Sequence, residues 1–225
     1  MQFPVHDESV LRYADSRAST SSILTGYFVT LKFGLFFMNT HPTLLRNLES
    51  VLVIVDMQSK LSAVMVEKEA EAMHENTISL LEAAINLAIP ILVTEQYPQG
   101  LGQTEKSVQE ALPNNAPIFE KTAFSCTSAS AFMPALENTK RTQVILVGQE
   151  AHVCILQTAL DLIALGYQVH VVEDAICSRK AEHKFYALQR LQSQNVVITN
   201  YESVLFEWLR DANHPDFKMI SSLLR

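Results

Sequence analysis

The sequence contains no apolar run long enough to cross a bilayer, no basic stripe, no CxxC pair and no Cys/His cluster. Each absence removes a class of function. A spanning helix needs roughly 20 consecutive apolar residues, so no membrane span is expected. The formal net charge is -7 with acidic and basic residues interspersed, which offers nothing to a phosphate backbone and argues against nucleic acid as a partner. Cys126, Cys154 and Cys177 are odd in number and widely spaced. They suggest neither a disulfide framework nor a zinc site, and they fit a reducing, cytoplasmic compartment. What remains, 48% hydrophobic and 18% charged over 225 residues, is too apolar for disorder and sufficient for one α/β core.

Residues 1–37 read differently from the rest. A Ser/Thr-rich stretch, Ser16–Ser22, leads into apolar Ile23–Phe37, which Lys32 and Gly34 interrupt. The block begins late for a cleaved signal, and Asp7, Glu8 and Asp15 oppose a mitochondrial presequence. Two readings stay open: an N-terminal extension ahead of a natural start at Met38, or a genuine extra segment, with organellar targeting among its uses. The folded domain is assigned to residues 38–225.

From Ser50 onward, short β-branched runs alternate with segments of helical period, the sequence form of a parallel sheet covered on both faces. Val51–Val55 is apolar at every position, as a strand buried on both sides should be. Strands are likewise expected at Ile91–Thr94, Gln143–Val147, Val169–Val172 and Val196–Thr199. Helices are expected on Ile78, Leu81, Ile85 and Ala88, on Ile155, Ala159 and Leu162 closed by Gly166, and on Ala181, Phe185, Leu188 and Leu191. Thr199 and Glu202 fit a capping box for the next helix, and Phe217–Leu224 fits a last one. Tyr97–Ser128 reads as a long irregular stretch with a short helix near Val108–Leu112, and long loops in compact domains are commonly functional.

Ligands of open parallel sheets bind beyond the carboxyl ends of the strands. Asp56, the pair Glu95 and Gln96, and the turn Gly148–Cys154 all fall there. The turn joins a buried strand to a helix, where free N–H groups and the helix dipole favour a thiolate and can receive an oxyanion. A buried cysteine packing as a small hydrophobe competes with that reading. Asp56, partly desolvated at the end of an apolar strand, suits proton abstraction from a thiol, with a helix cap as the competing role. Lys121, in Phe119-Glu120-Lys121-Thr122-Ala123-Phe124-Ser125, would alone pass for a surface lysine.

Together, Asp after the first strand, Lys in the loop before the strand Gln143–Val147, and Gly-x-x-x-x-x-Cys directly after that strand resemble the isochorismatase-like hydrolases, from about Leu48 to the C-terminus. Val55-Asp56-Met57-Gln58, Thr94-Glu95-Gln96-Tyr97-Pro98-Gln99-Gly100-Leu101-Gly102, Phe119-Glu120-Lys121-Thr122, and the Gly148–Cys154 turn with Gln157-Thr158-Ala159-Leu160-Asp161-Leu162 are most similar to the isochorismatase-domain-containing proteins. The resemblance implies a three-layer αβα sandwich around a six-stranded parallel sheet, a homo-oligomer, and a catalytic triad of Asp56, Lys121 and Cys154. In it Asp56 takes the thiol proton, Lys121 holds the pair and stabilises negative charge, and Cys154 attacks a small carbonyl substrate, commonly an amide. It further implies a non-proline cis peptide between Gln149 and Glu150, with the N–H groups of Glu150 and Cys154 as oxyanion donors.

Two departures narrow the reading. Thr94–Gly102 holds no histidine, so the metal of the nicotinamidases is not expected and no cofactor is assigned. Bacterial isochorismatases lack a cysteine at the position of Cys154, so a thiol here points to acyl chemistry. Tyr97, Phe124 and Gln157 are the candidate substrate contacts. His152 could pair with Asp56 or lie in an exposed turn, Cys126 could line the pocket or simply pack, and Cys177 reads as structural. The alternative function is a non-catalytic binding or scaffold protein that retains the triad; nuclease action has least support.

Overall fold

The computed structural model describes residues 41–224. The two readings of residues 1–37 and the start at Met38 lie outside them. The described chain runs β1 (Ser50–Val55), α1 (Ser59–Ser62), α2 (Glu67–Asn86), β2 (Ile91–Gln96), α3 (Pro98–Leu101), α4 (Lys106–Ala111), β3 (Ile118–Lys121) and a 3₁₀ turn (Cys126–Ser128). It continues with α5 (Phe132–Asn138), β4 (Gln143–Gln149), a π-turn (Ala151–Ile155), α6 (Leu156–Ala164), β5 (Gln168–Cys177), α7 (Ala181–Gln192), β6 (Val197–Thr199), α8 (Tyr201–Leu209) and α9 (Phe217–Ser221). The six strands form one parallel sheet in the order β3-β2-β1-β4-β5-β6.

The sheet is buried on both faces, which is why its strands show no polar alternation. Leu52 and Ile54 of β1, Ile145 and Val147 of β4 and Val172 of β5 face one core with Leu80, Leu81 and Ala84 of α2 and Trp208 of α8. Val51, Val53 and Val55, with Val144, Leu146, Val169 and Val171, face the other core with Phe132 of α5, Ala159 and Leu162 of α6, and Leu191 of α7. Alternate residues of one strand thus serve opposite layers. Burying each such side chain contributes roughly 1.5–3 kcal/mol. Trp208 is fully enclosed, and its indole N–H finds Ser50 Oγ at 2.9 Å. Among the described residues no helix is long and apolar enough to cross a membrane.

Several expectations shift. The stretch Tyr97–Ser128 is not irregular, since it carries α3, α4 and β3, the sixth strand. Its strand escapes periodicity because Ile118-Phe119-Glu120-Lys121 lies at the sheet edge, buried only at Lys121. On α2 the buried face is Met73, Thr77, Leu80, Leu81 and Ala84, while Ile85 is exposed and Ala88 lies beyond the helix in the left-handed region. Phe185 of α7 is also exposed, because the helix packs through Ala187 and Leu191. The cap of α8 is Asn200, whose side chain accepts from Ser203 N at 2.8 Å. Thr199 is still occupied in β6, so the anticipated Thr199/Glu202 box moves by one residue.

Strand order reverses at β1 and β4: the chain builds outward through β2 and β3, then returns to the other side of β1. The connections leaving the carboxyl ends of β1 and β4 diverge there, at the switch point where open parallel sheets form their ligand crevice. Val55 pairs with Gly148 across it. A Cβ on Gly148 would stand 2.1 Å from Val55 O, and its φ of +107° also requires glycine.

Candidate active site

Four neighbouring strands each deliver one polar side chain to this crevice: Lys121 ends β3, Thr94 lies in β2, Asp56 follows β1, and Cys154 sits in the π-turn after β4. The parallel register brings them level, since Val55 pairs with Thr94, and Gln96 with Lys121. Asp56 leaves the strand with φ +51°, a left-handed conformation that Asp tolerates better than most residues. Its backbone N–H donates to Thr94 O at 3.1 Å, while its carbonyl accepts from Gln58 N at 2.8 Å and from Gln149 Nε2 at 3.0 Å. The backbone is therefore held from both sides, and the carboxylate points inward.

Asp56 Oδ2 accepts from Lys121 Nζ at 2.6 Å, and Oδ1 accepts from Thr94 Oγ1 at 2.7 Å. Asp56 also acts on the Cys154 thiol, through its negative charge. Lys121 is a buried strand residue rather than a loop or surface lysine, and its ammonium also donates to Gln96 Oε1 at 2.7 Å and to Phe124 O at 3.0 Å. With Ala123 O at 3.4 Å, four acceptors surround its three protons, and the ammonium is fully occupied within the protein. Burial works against the ammonium, but the charges of Asp56, Cys154 and Cys126 outweigh that and hold Lys121 above its ordinary pKa.

Cys154 keeps 5% of its surface accessible, whereas Cys126 and Cys177 are fully enclosed. It lies in a π-turn whose last N–H, from Leu156, reaches back to Ala151 O, and such turns recur at functional sites. A helix N-terminus favours a thiolate, while burial, followed by the negative charge of Asp56, pushes this thiol above its ordinary pKa, and Lys121 only partly opposes them.

The turn itself is braced. The peptide bond between Gln149 and Glu150 is cis. Glu150 O accepts from Val153 N at 3.0 Å and Ile155 N at 3.2 Å, and the Glu150 carboxylate is gripped by Arg179 through Nε at 2.9 Å and NH2 at 2.7 Å. Burial alone would raise the Glu150 carboxyl, yet the Arg179 hydrogen bonds and charge bring it below its ordinary value. Gln149 Nε2 also donates to Ser62 Oγ at 3.0 Å.

His152 does not meet Asp56. Its Nδ1 lies 3.0 Å from Ser178 Oγ and its ring 4.4 Å from that of His183, on the side of α7. Cys177 packs against Met73 Sδ at 3.3 Å. Tyr97 and Phe124 are each 52% exposed and both attach to Lys121, Tyr97 N donating to Lys121 O at 2.8 Å and Phe124 O receiving the ammonium. Tyr97 covers Gly100, where a Cβ would collide with its ring. Gln157 is exposed on α6. Among the described residues, no three His, Cys, Asp or Glu side chains converge in a way that could hold a metal ion.

Thr94 and Arg179 were not singled out in the sequence, and the tie of Gln96 to Lys121 was not foreseen. Thr94 reads as one more β-branched strand residue, and Gln96 and Arg179 acquire meaning only once register sets them against Lys121 and Glu150.

Residues 50–203 match the isochorismatase domain. Isochorismatase domain-containing protein 1 of Salmo salar is 34% identical over 234 residues, covering 100% of this chain and 80% of its own length. The structure of the MAR1 ribonuclease from Caenorhabditis elegans is 37% identical and superposes with a TM-score of 0.75 over 80% of this chain and 91% of that one. Escherichia coli YcaC, an octameric hydrolase of unknown specificity, is 23% identical, with a TM-score of 0.72 over 81% of this chain and 97% of its own, a likeness of fold. With two thirds of its length inside that domain and its strand order, turn and buried polar cluster all falling within the match, the chain belongs to the isochorismatase family.

Proposed function

We propose that the protein is a cysteine hydrolase that cleaves a small carbonyl compound, an amide in the first instance, through an acyl-enzyme on Cys154. The observation that carries this reading is the buried Asp56 carboxylate, which holds the Lys121 ammonium and stands near enough to the Cys154 thiol to raise its pKa. Such a site can use a thiol that is protonated at rest, because the base stands beside the nucleophile.

In the proposed cycle, the Cys154 proton passes to Asp56 as the sulfur attacks the carbonyl carbon. The C=O electron pair moves to oxygen, which the N–H groups of Glu150 and Cys154 receive. Collapse expels the amine, which takes the proton from Asp56 and leaves a thioester. Water then gives a proton to Asp56 and its hydroxide to the thioester, releasing the acid and returning the proton to sulfur. Lys121, its protons taken up by acceptors within the protein, orients Asp56 without touching substrate. Tyr97, Phe124 and Gln157 form the rim that would contact the remainder of the molecule. Assembly of several copies belongs to the same reading, with the octamer of its fold relative as support.

A second reading, cleavage of RNA, is favoured by one observation: the related C. elegans structure is that of a ribonuclease. The net charge of -7 speaks against it, because RNA binding rests largely on phosphate neutralisation. One experiment separates the possibilities. Protein incubated with a panel of small amides is weighed intact, and in parallel with labelled RNA. A mass increase on Cys154 that Cys154→Ala abolishes supports the hydrolase. RNA cleavage undiminished in Cys154→Ala, with no adduct, overturns it. A Cys154 that ignores iodoacetamide in the folded protein favours a scaffold.

A further inference from the structure

The cycle above leaves one nucleophilic group beside the site unused. Cys126, in the 3₁₀ turn after β3, is fully enclosed, and its Sγ lies 3.6 Å from Thr94 Oγ1. It is fixed there by its backbone N–H, which donates to Thr158 Oγ1 at 2.9 Å. Thr158 follows Cys154 by one helical turn, so the second thiol is anchored to the face that carries the first.

The direction of the hydrogen bonds follows from proton counting. A hydroxyl has one proton, and a carboxylate only accepts. Thr94 must therefore spend its proton on Asp56 Oδ1, at 2.7 Å. Only lone pairs are left on Thr94 Oγ1 to face Cys126, so the Cys126 thiol is the donor. It can keep that role, because burial and then the charge of Asp56 push its pKa up to about 11.

We infer that Thr94, backed by Cys126, is a positioning residue: a relay from Cys126 Sγ through Thr94 Oγ1 to Asp56 Oδ1 fixes the rotation of the carboxylate and supplies it with a hydrogen bond, so that it meets the Cys154 proton. The inference rests on the reading of Asp56 as the base for Cys154. The groups facing Asp56 are Lys121 from β3, Thr94 from β2, Cys126 from the 3₁₀ turn and Cys154 from the π-turn. Lys121 holds Oδ2 and Thr94 holds Oδ1, so each fixes a different oxygen of the carboxylate.

The test is the pH profile of Cys154 alkylation by iodoacetamide, read by mass on the Cys154 peptide so that no other thiol contributes. In Thr94→Val the carboxylate loses a donor, and the acidic limb of the profile moves to higher pH by about one unit, the tenfold worth of one hydrogen bond to a charged acceptor. Thr94→Ser retains the donor and overlays the wild type. Cys126→Ala moves the limb in the same direction by a smaller step, and it keeps the inference falsifiable if Thr94→Val fails to fold. A limb that stays in place in both Thr94→Val and Cys126→Ala, with rates lowered equally at all pH values, assigns Thr94 a packing role and overturns the inference while leaving the acyl-enzyme reading intact. A wild-type Cys154 that iodoacetamide never modifies overturns both.

Discussion

Lys121 Nζ stands 2.6 Å from Asp56 Oδ2, with both side chains withdrawn from solvent. Two opposite charges in that setting are stable only as a pair, because desolvating either alone costs several kcal/mol. Lys121→Ala leaves the Asp56 carboxylate without its cation. The expected loss is about 3–5 kcal/mol of folding stability, the range for breaking a buried pair, read as a lower urea midpoint. A variant that unfolds at the wild-type midpoint contradicts the pairing.

The three cysteines should separate by accessibility. Cys154 is the one with residual exposure, while Cys126 and Cys177 are enclosed. Native protein treated with iodoacetamide should carry the label on Cys154 alone, and all three should react in denaturant. Loss of the proposed base should make native labelling near neutral pH slower in Asp56→Asn than in the wild type, whereas loss of its charge alone would lower the thiol pKa and make labelling faster. Peptide mapping gives both results.

Arg179 holds the Glu150 carboxylate, whose side chain is only 8% exposed, while Arg179 itself is 50% exposed. Arg179→Ala should cost about 1 kcal/mol, toward the low end for a charge-assisted bond because solvent screens the guanidinium. The sign with pH is fixed by the lowered Glu150 pKa: the contribution is present above 4.5 and fades as pH falls through the lower folded-state value. Thermal melts of variant and wild type should therefore differ at pH 7 and converge in strong acid.

His170 gives a second acid sensitivity, in the core. It is 1% exposed, and neither ring nitrogen has a hydrogen-bond partner. Burial pushes its pKa from 6.5 down to about 4. The unfolded chain therefore takes up the proton first, and stability falls as pH drops from 6.5 towards 4, by about 3 kcal/mol in all. His170→Leu should flatten that segment of the stability curve, measured by urea titration at several pH values. An unchanged slope would sink the assignment.

Much of the fold was legible because burial on both faces writes itself into composition: Val51–Val55 and Val144–Val147 are apolar without alternation, and both lie in strands. The edge strand was not, because Ile118 and Glu120 face solvent and leave no periodic mark. At the site, Asp56, Lys121 and Cys154 were reached through chain order and a family resemblance, and their convergence depends on strand order, which no local pattern encodes. Thr94 was hidden for another reason. A threonine in a strand looks like valine until a neighbouring strand sets a carboxylate against its hydroxyl.

The delivery of one site residue by each of four adjoining strands has a consequence for how this protein comes into being. The cluster draws on positions from Asp56 to Cys154, with Lys121 on the outermost strand of that side. A nascent chain released before the strand that carries Cys154 has no sulfur at the crevice. One that fails to dock its short edge strand has no ammonium there. Reactivity of that single sulfur thus reports completion of the sheet, and it should appear late and all at once during refolding.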